Sequence, residues 1–333
     1  MLLIARLNLF YRRLLTLRPH TALRTPAAPS PHSLPHTPSL KTPIALPIAR
    51  TRAIHTGPKV QQPKMSNESK VDLAKFLDAS VPGGVYNLWF QHVAKDQDLT
   101  LPTFEVAKPW FTKDAAFDLE CSTQFKPILA AIHQSRPELK TEEEVQAQAK
   151  QILDLVKPVS ALDWLGLIIL LDQLPRNCYR GPESALVFTY FDPISRVIAS
   201  QALKQNADHD LDVRYHLALR LWFYLPFMHS EDLSHQELVL AKHGEMEQDV
   251  RNLCDKQPTS GFGDKEQRAR EVFANNRKAL DAYLKQNAKF QKEHHDIIAQ
   301  FGRYPYRNVT LGRETTPEEE KWLKETDITF GSG

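Results

Sequence analysis

The stretch Leu162-Asp-Trp-Leu-Gly-Leu-Ile-Ile-Leu-Leu-Asp-Gln-Leu-Pro-Arg-Asn-Cys-Tyr-Arg-Gly181 decides the fold. Its run from Leu162 to Leu171 is apolar on nearly every side of a helix, so the pattern predicts a helix over 158–173 enclosed by other elements. The run is too short and too interrupted to cross a bilayer, which points to a water-soluble chain. Asp172 sits at the end of that enclosed helix, where its carboxylate needs a cation or several donors. Arg176 and Arg180 are the nearest candidates. Pro175 is expected to stop the helix, and Asn177 suits a turn or a cap.

Outward from this segment, the 3.6-residue period recurs almost everywhere and alternating strand patterns are essentially absent. Helices are expected at 70–79, 84–95, 113–135, 141–156, 158–173, 182–190, 193–205, 211–225, 230–256, 265–301 and 316–325. Local punctuation supports these bounds. Thr141 before Glu142-Glu143-Glu144 reads as a capping box, as does Thr316-Pro317-Glu318-Glu319. Asp192-Pro193 and Ser230 read as helix starts, and Gly302 as a left-handed helix end. Gln257-Pro-Thr-Ser-Gly-Phe-Gly-Asp264 is the one flexible-looking break. The expectation is an all-α fold in which helices pair antiparallel through short turns. No clear 34-residue repeat is visible.

Charge divides the chain. Residues 1–64 hold seven Arg, three Lys and no acid; the first acid is Glu68. Of 42 Lys and Arg, 32 remain after those ten, against 40 acids, so residues 65–333 carry about −8. A basic, acid-free leader rich in Pro, Ser and Thr reads as a mitochondrial transit peptide. Its first turns form an amphipathic basic helix interrupted by Arg6, Arg12 and Arg13, and Arg52-Ala-Ile-His-Thr-Gly57 resembles a matrix-protease site. A start at Met65 would give a cytosolic form. The rest, 65–333, is expected to be one all-α domain. Its acidity argues against nucleic acid as a partner. Cys121, Cys178 and Cys254 are widely spaced, which suggests reduced thiols and no zinc site.

Two further segments carry chemistry-bearing residues. In Leu225-Pro-Phe-Met-His-Ser-Glu-Asp232, Ser230, Glu231 and Asp232 suit a helix start, whereas His229 does not, so His229 with Glu231 or Asp232 is a candidate acid–base pair. No metal-binding spacing such as His-Glu-x-x-His is present. In Phe301-Gly-Arg-Tyr-Pro-Tyr-Arg-Asn-Val-Thr-Leu-Gly-Arg313, three guanidinium forks and Asn308 follow a helix whose face Phe290, His294, Ile297, Ile298, Phe301 places His294 inside. Pro175-Arg-Asn-Cys-Tyr-Arg-Gly181 and Pro305-Tyr-Arg-Asn-Val-Thr-Leu-Gly-Arg313 echo one another, as two similar turns facing one cleft would. Glycine-rich phosphate loops, nucleophile elbows and dinucleotide fingerprints are all missing.

Asn87-Leu-Trp-Phe90, Lys108-Pro-Trp-Phe-Thr-Lys-Asp114, Leu170-Leu-Asp-Gln-Leu-Pro-Arg-Asn177, Phe223 through Asp232, and His294 through Arg313 with Thr316-Pro-Glu-Glu319 occur in order. Over 84–330 the chain thereby resembles the bacterial and fungal family known as domain of unknown function 924. The resemblance implies a tetratricopeptide-like array of helices with a concave groove, and it implies no activity. Members of that family often have His where this chain has Tyr306. A phenol cannot replace a general base at neutral pH without a large pKa shift, so position 306 is expected to pack or hydrogen-bond.

The reading is therefore a groove with a convergent polar cluster. Its candidate acid–base residues are His229, Glu231 and His294. Its candidate ligand-binding residues are Asp172, Arg176, Asn177, Arg303, Arg307 and Asn308. Guanidinium forks suit a carboxylate or phosphate, so a small anion is the expected ligand, with hydrolysis or proton transfer needing no organic cofactor or metal. The alternative is a scaffold that binds a protein or peptide. Arg303, Arg307 and His294 opening into one pocket favour the first; each sealed against its own fold favours the second.

Overall fold

The structure is a computed structural model that describes residues 71–255 and 263–326. Every regular element among these residues is helical. Those that matter below are α1 (Val81–Phe90), α2 (Asp96–Thr100), α3 (Phe104–Phe111), α4 (Ala115–Ser135), α5 (Glu142–Val156), α6 (Ala161–Asp172), α7 (Leu174–Cys178), α8 (Asp192–Lys204), α9 (Leu217–Arg220), α10 (Leu225–Met228), α11 (Leu233–Asp255), α12 (Asp264–Asn275), α13 (Arg277–Phe301) and α14 (Pro317–Thr326).

Helix α6 is the axis of the fold. Ser160 and Asp163 cap its start reciprocally, and Trp164 through Asp172 are all buried. Helix α1 packs closely on it at Gly166. A side-chain carbon at Gly166 would fall 2.2 Å from the carbonyl oxygen of Pro82, so no larger residue fits between the two backbones. The other neighbours of α6 include α8, and α8 in turn packs on α5. One core runs from Leu73 to Leu284, and a smaller cluster of Ile297, Ile298 and Tyr304 lies at the end of α13. α11 and α13 pack together over much of their length.

Local chemistry explains most boundaries. The expected capping boxes at Thr141 and Thr316 are present, and Gly302 ends α13 at φ 66°. The expected face of α13 is also present, with Ile297 and Ile298 buried beside His294. Several expectations need correction. Pro175 does not end the helical run: it occupies the first turn of α7, where its missing N–H costs nothing. The helix expected at 84–95 is α1, which starts earlier because Pro82 suits a first turn. Asp192 is not a cap. Val187–Phe191 forms a π-helical turn that runs straight into α8, and the Asp192 carboxylate is spent elsewhere. The segment 211–225 is loop followed by the short α9 and a 3-10 turn, and Asp232 rather than Ser230 holds the first free amides of α11, accepting from Ser234 N at 2.9 Å. Finally, 265–301 divides at Asn276 into α12 and α13. The Gln257–Asp264 break lies almost wholly outside the described residues, as does the leader.

Candidate functional site

The C-terminal end of α6 brings Asp172 to full burial, at 1% exposure. Its Oδ1 accepts a hydrogen bond from His229 Nδ1 at 2.9 Å, and its Oδ2 accepts from Gln173 Nε2 at 2.6 Å. Arg176, one turn on, donates from Nη1 and Nη2 to the two oxygens of Asp192, at 2.8 and 3.0 Å. Its Nη1 also lies 3.7 Å from Asp172 Oδ1. The fork thus ties α7 to the start of α8. Burial opposes a charge on Asp172, but His229 and the Arg176 guanidinium outweigh it and hold the carboxyl well below its ordinary range. Burial, then the nearby Arg176, pushes the His229 imidazole below its usual value against the pull of Asp172. At neutral pH His229 is therefore an uncharged ring with its proton on Nδ1, and Nε2 carries a lone pair.

His229 follows α10 directly and is 18% exposed, the exposed part facing a cleft of about 140 Å³. Its Nε2 makes no hydrogen bond to a described residue. The same cleft is lined by Gln173, Arg176, His294, Tyr306 and Arg307. His294, at 2% exposure, donates from Nδ1 to the Phe290 carbonyl at 2.9 Å, and burial pushes it down to about 3. Tyr306 is raised to about 12 by burial, stacks on Tyr304 and shares a hydrogen bond with Arg307, as a packing and hydrogen-bonding position should.

Arg307 is the unusual group. It is 5% exposed, yet among the described residues no carboxylate lies within ion-pair distance of it. Its Nη1 donates to the His229 carbonyl at 3.0 Å, and its Nε is buried without a partner. The guanidinium lies 4.5 Å from the ring centres of Phe188 and Tyr304. Stacking of this kind contributes about 1–2 kcal/mol per ring, whereas burying an unpaired charge costs several. Arg196, one turn after Asp192, makes no ion pair with a described residue either; Asp192, Asp172 and Glu142 attract it through space and Arg307 repels it. Of the cations that line the cleft, Arg176 is paired with Asp192 and Arg180 with Asp118, while among the described residues Arg307, buried, and Lys113, exposed at the rim, have no carboxylate within ion-pair distance.

The other expected site residues lie elsewhere. Arg303 donates to both oxygens of the buried Glu319, at 2.6 and 2.8 Å, and Asn308 Nδ2 reaches the same carboxylate at 3.1 Å. Glu231 takes Arg313 and the Tyr304 amide, so it neither touches His229 nor lines the cleft. Asn177 does line it, while donating to Asp118 at 2.8 Å. The loop after α13 is mostly a lock on the fold, and only Tyr306 and Arg307 reach the cleft. Asp192, Arg196, Gln173 and Phe188 escaped the sequence reading. Asp192 looked like a cap because Pro193 follows it, and Arg196 is a lone, half-buried cation flanked by the buried Ser195 and Val197.

The echo between the two Pro-Arg-Asn segments is real in space. Each opens on a proline in a short helical turn and closes on a left-handed glycine, Gly181 at φ 60° and Gly312 at φ 63°, and the first reaches the cleft through residues from Arg176 to Gly181, the second through Tyr306 and Arg307. Asp172, Asp192 and His229 also bring ligand atoms within 4.8 Å of one another, a set that could hold a metal ion. Arg176 already supplies a cation to both oxygens of Asp192, and a metal would have to displace it.

The model of a bacterial protein family of unknown function, domain of unknown function 924, matches residues 85–327. The chain belongs to this family. The family match contains every residue of the cleft, from Trp110 to Arg307. A protein of unknown function from Agrobacterium tumefaciens, of solved structure, is 27% identical; the match covers 74% of this chain and 98% of that one, with a TM-score of 0.47. No curated protein matches.

Proposed function

We propose that this member of the family binds a small organic or inorganic anion on Arg307 and acts on it by acid–base chemistry, most simply a hydrolysis, with His229 as the base. The observation that carries this is a buried guanidinium without a carboxylate partner, hydrogen-bonded to the same residue whose imidazole opens to the cleft. Asp172 holds the ring with Nδ1–H inward, which aims the Nε2 lone pair at whatever occupies the cleft. A neutral imidazole can take a proton from water or substrate at pH 7, and Asp172 then stabilises the imidazolium. Arg307 holds the anion and disperses charge that develops nearby. His294 donates from Nδ1 to a carbonyl and is too weakly basic to be the base, so its part is to shape the wall. The assignment needs no organic cofactor.

The alternative, a tetratricopeptide-like groove for a peptide, requires an extended concave face, whereas a cleft of about 140 Å³ suits a small molecule of about one ring. Thermal-shift screening of the full chain against metabolite anions tests the anion site. At least one anion should stabilise the native protein, and a folded Arg307→Ala variant should lose that response. Stabilisation of both to the same extent, or of neither, rejects the reading. Among the described residues no helix is long and apolar enough to cross a membrane. The basic leader supports import into mitochondria, with a second form starting at Met65. N-terminal sequencing of protein from purified mitochondria should find a start near 61–64, and a species only in the cytosol, starting at Met65, rejects import.

A further inference from the structure

The walls of the cleft say more about the ligand than its floor does. Phe111, Val187, Phe188, Leu225, Met228 and Phe290 all line it, and Val187 and Met228 are as buried as Arg307. A small inorganic ion on Arg307 would leave these apolar side chains uncovered, whereas an apolar body attached to the anion would cover them. The volume is also informative. About 140 Å³ is close to the roughly 150 Å³ of an apolar protein cavity that accepts a benzene molecule. Charge narrows the choice again. Among the described residues, Arg307 is the buried cation of the lining that lacks a carboxylate, and Lys113 stands at the exposed rim. His229 and His294 are both pushed toward neutrality, so a second negative charge at the buried end would sit beside Asp172 and Asp192.

We infer that the ligand is a monocarboxylate with a compact apolar body about the size of a benzene ring, its carboxylate on Arg307 and its body between Phe111, Phe188, Phe290 and Met228. The inference rests on the anion-binding reading above and adds the substrate class. It also explains why the guanidinium is stacked rather than ion-paired. Phe188 and Tyr304 cover its faces and leave its edge for a planar carboxylate.

Isothermal titration of the full chain with benzoate, acetate, benzamide and inorganic phosphate tests it. Benzoate should bind roughly tenfold or more tighter than acetate, from the apolar surface its ring buries, and benzamide should bind weakly for want of charge. Arg307→Gln should lose benzoate. Phe111→Ala, checked for native circular dichroism, should weaken benzoate and so narrow the benzoate-to-acetate ratio. Phosphate or acetate binding as tightly as benzoate overturns the apolar-body inference and leaves an anion site standing. If neither benzoate, acetate nor phosphate binds the wild-type chain, the anion site falls with it.

Discussion

His229 illustrates how much one side chain depends on its neighbours. An exposed imidazole titrates near 6.5, but here burial and the Arg176 guanidinium lower it while Asp172 opposes them. Titration followed by NMR should therefore show His229 changing charge below 6.5, in the Nδ1–H tautomer. Asp172→Asn removes the larger of the two carboxylate influences that favour the imidazolium, the other being Asp192, so it should lower that pKa further and populate the other tautomer. A His229 that titrates at or above 6.5 in the native protein would refute this account. At this scale the sequence was informative about identity and silent about pairing. His229, Asp172, Arg176 and Arg307 stood out because their neighbours left them unexplained, yet nothing local said that His229 answers to Asp172, fifty-seven positions away, rather than to Glu231, two positions away. The near neighbour lost because the Glu231 carboxylate is held by Arg313 and the Tyr304 amide.

The helices behave differently, because their causes are local. Period and caps placed α4, α5, α6, α8 and α14 to within a few residues. The misplacements fall where a backbone choice depends on tertiary contacts. The π turn before α8, the broken 211–225 segment and the kink at Asn276 have no strong local signature. Close packing is a second property that element-level patterns conceal. Gly166 looks like a weak point in an apolar helix, yet it lets α1 approach backbone to backbone at Pro82. Gly166→Ala should therefore destabilise the protein by about 3 kcal/mol, despite the better helix propensity of alanine, because the overlap is with backbone and not with a movable side chain. Urea denaturation checks it, and a neutral or stabilising effect would show that the two helices can separate freely.

For the molecule as a whole, buried imidazoles set the response to acid. His243 is pushed down to about 4 and His294 to about 3 by burial. In the unfolded chain both accept protons near 6.5, so below that pH the unfolded state binds more protons than the native state. Stability should fall as pH drops from 6.5 toward 4, with each histidine contributing up to about 1.4 kcal/mol per pH unit. Both nitrogens of His243 are buried without partners. His243→Leu should therefore flatten the pH dependence and raise stability at pH 5, as urea melts across this range would show. A pH-independent midpoint between 6.5 and 4.5 would contradict the assignment. The all-helical class was legible from composition and period alone, while the cleft was not, since it is assembled from five separate segments between Trp110 and Arg307.

The π turn at Val187–Phe191 bears on how such a site could arise. A π turn holds one residue more than the α-helix it interrupts, the mark that a single-residue insertion leaves in an existing helix. Everything before the extra residue is rotated by about 100° against everything after it. Phe188, which covers Arg307, stands within that turn; Asp192, whose carboxylate holds Arg176, stands just after it. Without the extra residue Phe188 and Asp192 would be turned about 100° against each other, and the aromatic cover of Arg307 and the carboxylate on Arg176 could not both be presented from one helix.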